Sequence, residues 1–339
     1  LGLESKVHYP VPKQIGELHS IVSISCGFYF TTCVDYDGVV RTFGNNEHGQ
    51  LGVGHKNTCE GIQTLTLLPP IKSVHSGWCH TLCIGVDHSV WGFGKNEDGQ
   101  LGLGEGILGY APKQIPSVSD INYAACGAFF SVMVNKDNEV LVCGANSANQ
   151  LGLPHKFDSS PVFTPMLIPD LGDVISVACG WYHALLLTAS GVVYGTGINQ
   201  YGEIGPTIQT TDKNSCSRIA AGLPEIEEIS CGYTHTICID KNRKMWVCGS
   251  KESGKLGLGN ISARTPVQRF APSVSTVSRG GNCTIVKDTD ARIWVAGENK
   301  NGNLGLRSFS NCSKFTMLSP EYFHIIGDPI RVKAKSARK

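Results

Sequence analysis

The chain has 339 residues, 41% of them hydrophobic, and carries 29 basic against 28 acidic side chains. A balance this close to neutral argues against a broad nucleic-acid-binding surface or a polybasic membrane contact. No apolar run approaches the ~18 residues of a membrane-spanning helix, and no secretory signal opens the chain.

The first residues, Leu1-Gly2-Leu3, match the tail of a motif that returns throughout the chain, so the sequence reads as a piece of a longer protein entered mid-repeat. The full motif first stands at 43–54 as FGNNEHGQLGVG. It recurs as FGKNEDGQLGLG (93–104), CGANSANQLGLP (143–154), TGINQYGEIGPT (196–207), CGSKESGKLGLG (248–259) and AGENKNGNLGLR (296–307). A second marker runs in phase about 17 residues earlier: SCGFYFT (25–31), HSGWCHT (75–81), ACGAFFS (125–131), ACGWYHA (178–184), SCGYTHT (230–236) and SRGGNCT, with Gly280 in register. A period near 50 residues signals a repeat architecture, and it overrides the two-domain expectation from length.

One unit, 71–104, resolves into strands. IKSVHSG alternates and ends at a glycine, as an inner strand does. HTLCIGV is a second alternating run, and SVWGFG a third. Asp87-His88, like Asp37-Gly38 and Asp137-Asn138, occupies the hairpin turn between them. A variable loop then leads to a proline-marked segment, APKQI (111–115), with counterparts PVPKQI (10–15) and TPVQRF (265–270). Proline places that fourth strand at an outer edge. Four short strands per repeat with no helical periodicity define an all-β propeller of four-stranded blades. Leu51, Leu101, Leu151, Ile204, Leu256 and Leu304 are expected to plug between blades. The glycine turns are not read as a phosphate loop, because no helix follows them.

Six repeats carry both markers. Residues 1–25 add an outer-strand half, and 304–326 add a further LGL and an inner-strand-like YFHIIG (322–327). The expectation is a single propeller over 1–329 with seven blades, the last assembled from both chain ends; a six-bladed ring is the alternative. The basic stretch IRVKAKSARK (330–339) reads as a solvated tail or linker, and any nuclear-localisation or nucleic-acid contact would have to come from it.

The fourteen cysteines fall on repeat positions that are mostly apolar elsewhere. Cys26, Cys126, Cys179 and Cys231 share one, and Cys33, Cys83 and Cys238 another, so they are expected as small buried hydrophobes in a reducing, intracellular compartment. No CxxC pair supports zinc. His80, His183 and His235 share a position that Phe30 and Phe130 fill elsewhere, which marks packing rather than metal ligation. No Ser/His/Asp set, paired carboxylates or HExxH sequence points to catalysis, and no cofactor or metal site is expected.

The succession CG-x-x-H-T, D-G turn and G-x-N-x-x-GQLGLG resembles the regulator of chromosome condensation repeat family over essentially the whole chain. The resemblance implies a seven-bladed propeller. The founding member is a chromatin-bound guanine nucleotide exchange factor for the GTPase Ran. Many relatives are interaction modules within ubiquitin ligases, ciliary proteins and a plant ultraviolet-light receptor, so the fold does not settle function.

The two residues after each CG should emerge on one end of the ring. In the exchange factor, acidic and histidine side chains in that part of the repeats face the GTPase. Here the pairs are Phe28-Tyr29, Trp78-Cys79, Ala128-Phe129, Trp181-Tyr182, Tyr233-Thr234 and Gly281-Asn282, with no acid among them, and the long wedge insertion is not evident. Trp78 and Trp181 match two light-sensing positions of the receptor, but its neighbouring arginines are absent. Phe28, Tyr29, Trp78, Phe129, Trp181, Tyr182 and Tyr233 instead form a candidate aromatic docking rim; mutual packing in the channel mouth is the competing reading. The function expected is a protein-binding propeller in a larger protein, with exchange on a Ran-like small GTPase as the alternative.

Overall fold

The computed structural model of the protein describes residues 2–3, 8–154, 157, 159–209, 216–219 and 222–321. Alternating apolar residues separated by tight turns fold there as six antiparallel sheets. The first comprises β1 (Ile21–Cys26), β2 (Phe30–Asp35), β3 (Val40–Gly44) and β4 (Gln63–Leu65). The second comprises β5 (Ile71–Ser76), β6 (His80–Gly85), β7 (Val90–Gly94) and β8 (Gly109–Gln114), and the third β9 (Ile121–Cys126), β10 (Phe130–Asn135), β11 (Val140–Gly144) and β12 (Val162–Ile168). The fourth holds β13 (Val174–Cys179), β14 (His183–Thr188), β15 (Val193–Gly197), β16 (Thr207–Gln209) and β17 (Ser217–Ile219). β17 lies beside β15 and β16 outside it, so this sheet has five strands rather than the expected four. The fifth holds β18 (Ile226–Cys231), β19 (His235–Asp240), β20 (Met245–Gly249) and β21 (Ala263–Val267), and the sixth β22 (Val274–Gly280), β23 (Cys283–Asp288), β24 (Ile293–Gly297) and β25 (Cys312–Met317). The six inner ends gather around one open central cavity of about 130 Å³.

Six sheets correct the expected seven. YFHIIG (322–327) and the basic tail (330–339) lie outside the described residues. Residues 8–15 do run along the turn of the sixth sheet: the Arg307 amide donates to the Pro10 carbonyl over 2.9 Å. Outer strands take that place at other junctions, as where Gly54 N–H meets the Tyr110 carbonyl (2.8 Å) and Gly104 N–H the Phe163 carbonyl (2.9 Å). Residues 8–15 nevertheless join no sheet, because the described residues set no third strand beside them.

The hairpins are fixed one step earlier than the D-G pattern suggests. Asp35, two residues before the turn's centre, accepts the amides of Asp37 (3.1 Å) and Val39 (3.0 Å) through Oδ1. Asp240 and Asp288 do the same in the fifth and sixth sheets. The GQLGLG turns are wired by the preceding asparagine: Asn96 Oδ1 accepts Leu101 N–H (3.0 Å), while its Nδ2 reaches the Gly104 and Ile107 carbonyls. The same bond seats Leu51, Leu151, Ile204 and Leu304, and all six predicted plugs are buried; Leu101, for example, joins a cluster spanning the second to fourth sheets.

The CG glycine exists for close approach. A Cβ on Gly77 would overlap the His80 ring and the Gly127 carbonyl oxygen of the next sheet. Ten cysteines are buried, as the repeat register implies, but Cys26 is exposed. Its counterparts are covered by the preceding sheet; among the described residues no sheet precedes the first.

Gly77→Ala is expected to destabilise the fold by about 3 kcal/mol, the upper range for overpacking a core, since backbone cannot yield as a side chain can. Gly16→Ala, which meets nothing within 4 Å, serves as control. Urea midpoints of the two variants check this.

Candidate functional site

The two residues after each CG form two concentric circles at one mouth of the channel. Phe28, Trp78, Ala128, Trp181, Tyr233 and Gly281 line the cavity itself. Their backbones are tied sheet to sheet: Phe28 N–H donates to Trp78 O (3.0 Å), Ala128 to Trp181 (3.2 Å), Trp181 to Tyr233 (2.9 Å) and Tyr233 to Gly281 (2.9 Å). The second residues form the outer circle. Each presents its carbonyl to the G-x-N turn of the same sheet, as where Asn45 N–H meets Tyr29 O and Ala145 N–H meets Phe129 O, both at 2.8 Å.

All seven expected aromatic residues come together there. Ring centroids run Tyr29–Phe28 4.0 Å, Phe28–Trp78 4.4 Å, Trp78–Trp181 4.9 Å and Trp181–Tyr233 5.4 Å. Phe129 stacks on Trp78 at 5.4 Å, and Tyr182 on Trp181 at 5.7 Å. The rings cover one another, yet six keep a partly open face and Tyr29 is 70% exposed. Burial pushes the Tyr233 hydroxyl up to about 12. The Trp181 indole N–H is buried with no partner among the described atoms.

The structure adds polar groups that were missed because they lie a strand away in sequence. The turn tethered to each rim carbonyl brings carboxylates to the same mouth: Glu47, Glu97, Asp98 and Glu298. Lys95 lies 5.1 Å from the Phe129 ring centroid and pairs with Glu97 (3.2 Å) and Asp98 (3.5 Å). Burial alone would lower its pKa, but the two carboxylates outweigh this and hold it above the usual value. Opposite the aromatic arc, Lys255 replaces the motif glutamine. Its Nζ donates to Thr234 Oγ1 (2.7 Å) and Asn282 Oδ1 (3.0 Å), and Asn282 Nδ2 donates in turn to Glu298 (3.0 Å). Burial depresses the Lys255 pKa. A lysine where three other repeats have glutamine (Gln50, Gln100 and Gln150) was the available signal for this polar sector.

The repeated histidines lie beneath the rim and bridge neighbouring sheets. His80 Nε2 meets Ser131 Oγ at 3.0 Å, His235 Nε2 meets Thr284 Oγ1 at 2.9 Å, and His183 Nε2 meets Thr236 Oγ1 at 3.3 Å. Burial lowers their pKa values to about 3, 3 and 4 respectively. Among the described residues, no group of three His, Cys, Asp or Glu side chains is placed to hold a metal ion.

These features define a β-propeller with an aromatic mouth. The RCC1-like domain model matches residues 1–333, and the chain belongs to that family. Protein RCC2 homolog of Danio rerio is 32% identical over 102 residues, covering 30% of this chain and 21% of that protein. X-linked retinitis pigmentosa GTPase regulator of Homo sapiens is 36% identical over 100 residues, covering 28% and 10%. These matches span about a fifth or less of the length of the relatives. Among solved structures, human WBSCR16 superposes with a TM-score of 0.79 at 23% identity, covering 91% of this chain and 85% of that one. Yeast RCC1 (Prp20), in its complex with Kap60, gives 0.75 at 19% identity, covering 88% and 75%.

Protonating a buried histidine is easier in the unfolded chain, so stability falls as pH drops below about 6.5 and keeps falling toward the folded values. Each histidine costs up to about 1.4 kcal/mol per pH unit in that window. Melting temperature between pH 7 and pH 5 should therefore fall. The triple variant His80→Phe, His183→Phe, His235→Phe, which copies Phe30 and Phe130, should flatten that dependence.

Proposed function

We propose that the protein is an interaction module whose aromatic mouth docks another protein. The observation that carries the reading is the continuous arc of seven aromatic side chains held on rigid, backbone-tethered turns. Tyrosine and tryptophan bury large areas at low entropic cost, and a fixed scaffold lowers that cost further. The flanking Glu47, Glu97 and Glu298 supply a polar, acidic border around an apolar centre, the ordinary anatomy of an interface. The burial of ten cysteines as small core residues fits a reducing, intracellular compartment.

Guanine nucleotide exchange on a small GTPase is the second reading. The carboxylates at the mouth favour it, since exchange disturbs a phosphate and magnesium site. So does a partial match, 28% identical over 109 residues and covering 31% of this chain and 24% of the relative, to a human protein described as RCC1-like G exchanging factor-like. Yeast Prp20, whose binding to Gsp1p and histones is the subject of one structure, shares the fold at 18% identity and a TM-score of 0.60.

Affinity capture from host lysate, followed by identification of bound proteins, tests docking. Trp78→Ala combined with Trp181→Ala should weaken capture by about 30-fold or more, as loss of interface hot spots does, with the far-UV circular dichroism spectrum unchanged. Unchanged capture would move the interface to the opposite end of the ring, where the hairpin turns at 35–39 and 85–89 lie. Labelled nucleotide bound to Ran should be released no faster in the protein's presence; a hundredfold acceleration would reverse the order of the two readings.

A further inference from the structure

Charge is spread unevenly around the aromatic mouth. In each sheet a turn is tethered to the carbonyl of the outer rim residue. In the first sheet that turn (45–48) carries Glu47 and His48, and in the second (95–98) Lys95 against Glu97 and Asp98. The turns of the third and fourth sheets, 145–148 and 198–201, carry no charge. In the fifth and sixth, Lys251 offsets Glu252 and Lys300 offsets Glu298, while Lys255 adds a cation beneath. The net negative sector therefore lies over the first two sheets.

Lys95 shows what that sector accepts. Its Nζ lies 5.1 Å from the Phe129 ring centroid and pairs with Glu97 and Asp98, and Phe129 stacks in turn on Trp78. A cation resting on an aromatic face with carboxylates around it is thus already present once. Glu47, brought in from the first sheet, has no ion-pair partner among the described residues. Between Glu47 and Lys95 the outer circle narrows to Cys79, a small side chain where Tyr29, Phe129 and Tyr182 are bulky. Burial pushes the Cys79 thiol up to about 11, and the Lys95 and Glu47 charges act on it in opposite senses, so both stand close to it. Glu47 and Glu97 are exposed, and Trp78 and Phe129 keep a partly open face.

We propose that this sector seats an arginine side chain of the docked protein, the guanidinium against the Trp78 and Phe129 rings and its N–H groups directed at Glu47 and Glu97. The inference rests on the reading of the mouth as a docking surface and adds what the partner must carry. Arginine suits the seat better than lysine, because its planar cation stacks on a ring face while its fixed fork of donors reaches carboxylates. An exposed ion pair contributes little by itself. The rings beside these carboxylates are what distinguish the sector from acidic surface elsewhere.

The probe is a fluorescein-labelled peptide, Gly-Ser-Gly-Arg-Gly-Arg-Gly-Ser-Gly, compared with the same peptide carrying citrulline, the uncharged isostere, in place of both arginines. Fluorescence anisotropy at low salt should show saturable binding of the arginine peptide. Binding should be about tenfold weaker for the citrulline peptide, and about tenfold weaker for the arginine peptide on the double variant Glu47→Gln, Glu97→Gln. Glu252→Gln, on the neutral side of the mouth, should bind as the parent does. All these variants should melt within about 2 °C of the parent, since the altered side chains are exposed. Three results would overturn the arginine seat: no binding of the arginine peptide, equal binding of the citrulline peptide, or equal binding by the double variant. The citrulline comparison needs no variant and so holds whatever the substitutions do to the fold. The docking reading fails on a separate result, lysate capture unchanged by Trp78→Ala with Trp181→Ala, whichever peptide binds.

Discussion

The fold depends on how closely one sheet can approach the next at its inner end. In the first five sheets the turn sets a glycine under the ring three residues on, beside the neighbouring sheet. At Gly77 the space for a side chain is already taken by His80 and by the Gly127 carbonyl. The histidines then convert packing into registry: each bonds a serine or threonine one sheet along. Phenylalanine serves at the same position in the first and third sheets, so apolar contact carries the junction and the hydrogen bond refines it.

That close inner packing also creates the mouth. Because the turns are pulled together, the two residues after each CG have nowhere to go but onto one end of the ring. The chain fills those places with large rings through most of the circle and with Thr234, Asn282 and a buried lysine over the rest. The result is a surface with a direction, apolar on one arc and polar on the other. A partner docking there would be fixed in orientation as well as position.

The same packing rule explains why the first and sixth sheets differ from the rest. A sheet between two others buries both faces, and β6, β14 and β19 are buried along their whole length. Among the described residues the first and sixth sheets have one neighbouring sheet each, and alternate residues of β1 and β23 stay open. Identical motif chemistry therefore gives a sealed core wherever two described sheets stand side by side.

Much of this was legible in the residues alone. The repeat, the strand boundaries of 71–104, the plugging leucines, the burial of most cysteines and the gathering of Phe28, Tyr29, Trp78, Phe129, Trp181, Tyr182 and Tyr233 all follow from periodicity, because each depends on contacts within one repeat or between identical neighbours. What tertiary structure alone decided involves places where the periodicity breaks or where distant turns meet. Glu47, Glu97 and Glu298 reach the mouth only because a backbone bond ties their turn to the rim. Lys255 finds Thr234 and Asn282 across a sheet boundary. The number of sheets and the exposure of Ile24 and Cys26 depend on which strands find partners, and a local pattern of alternating side chains carries no information about whether a neighbour stands beside it.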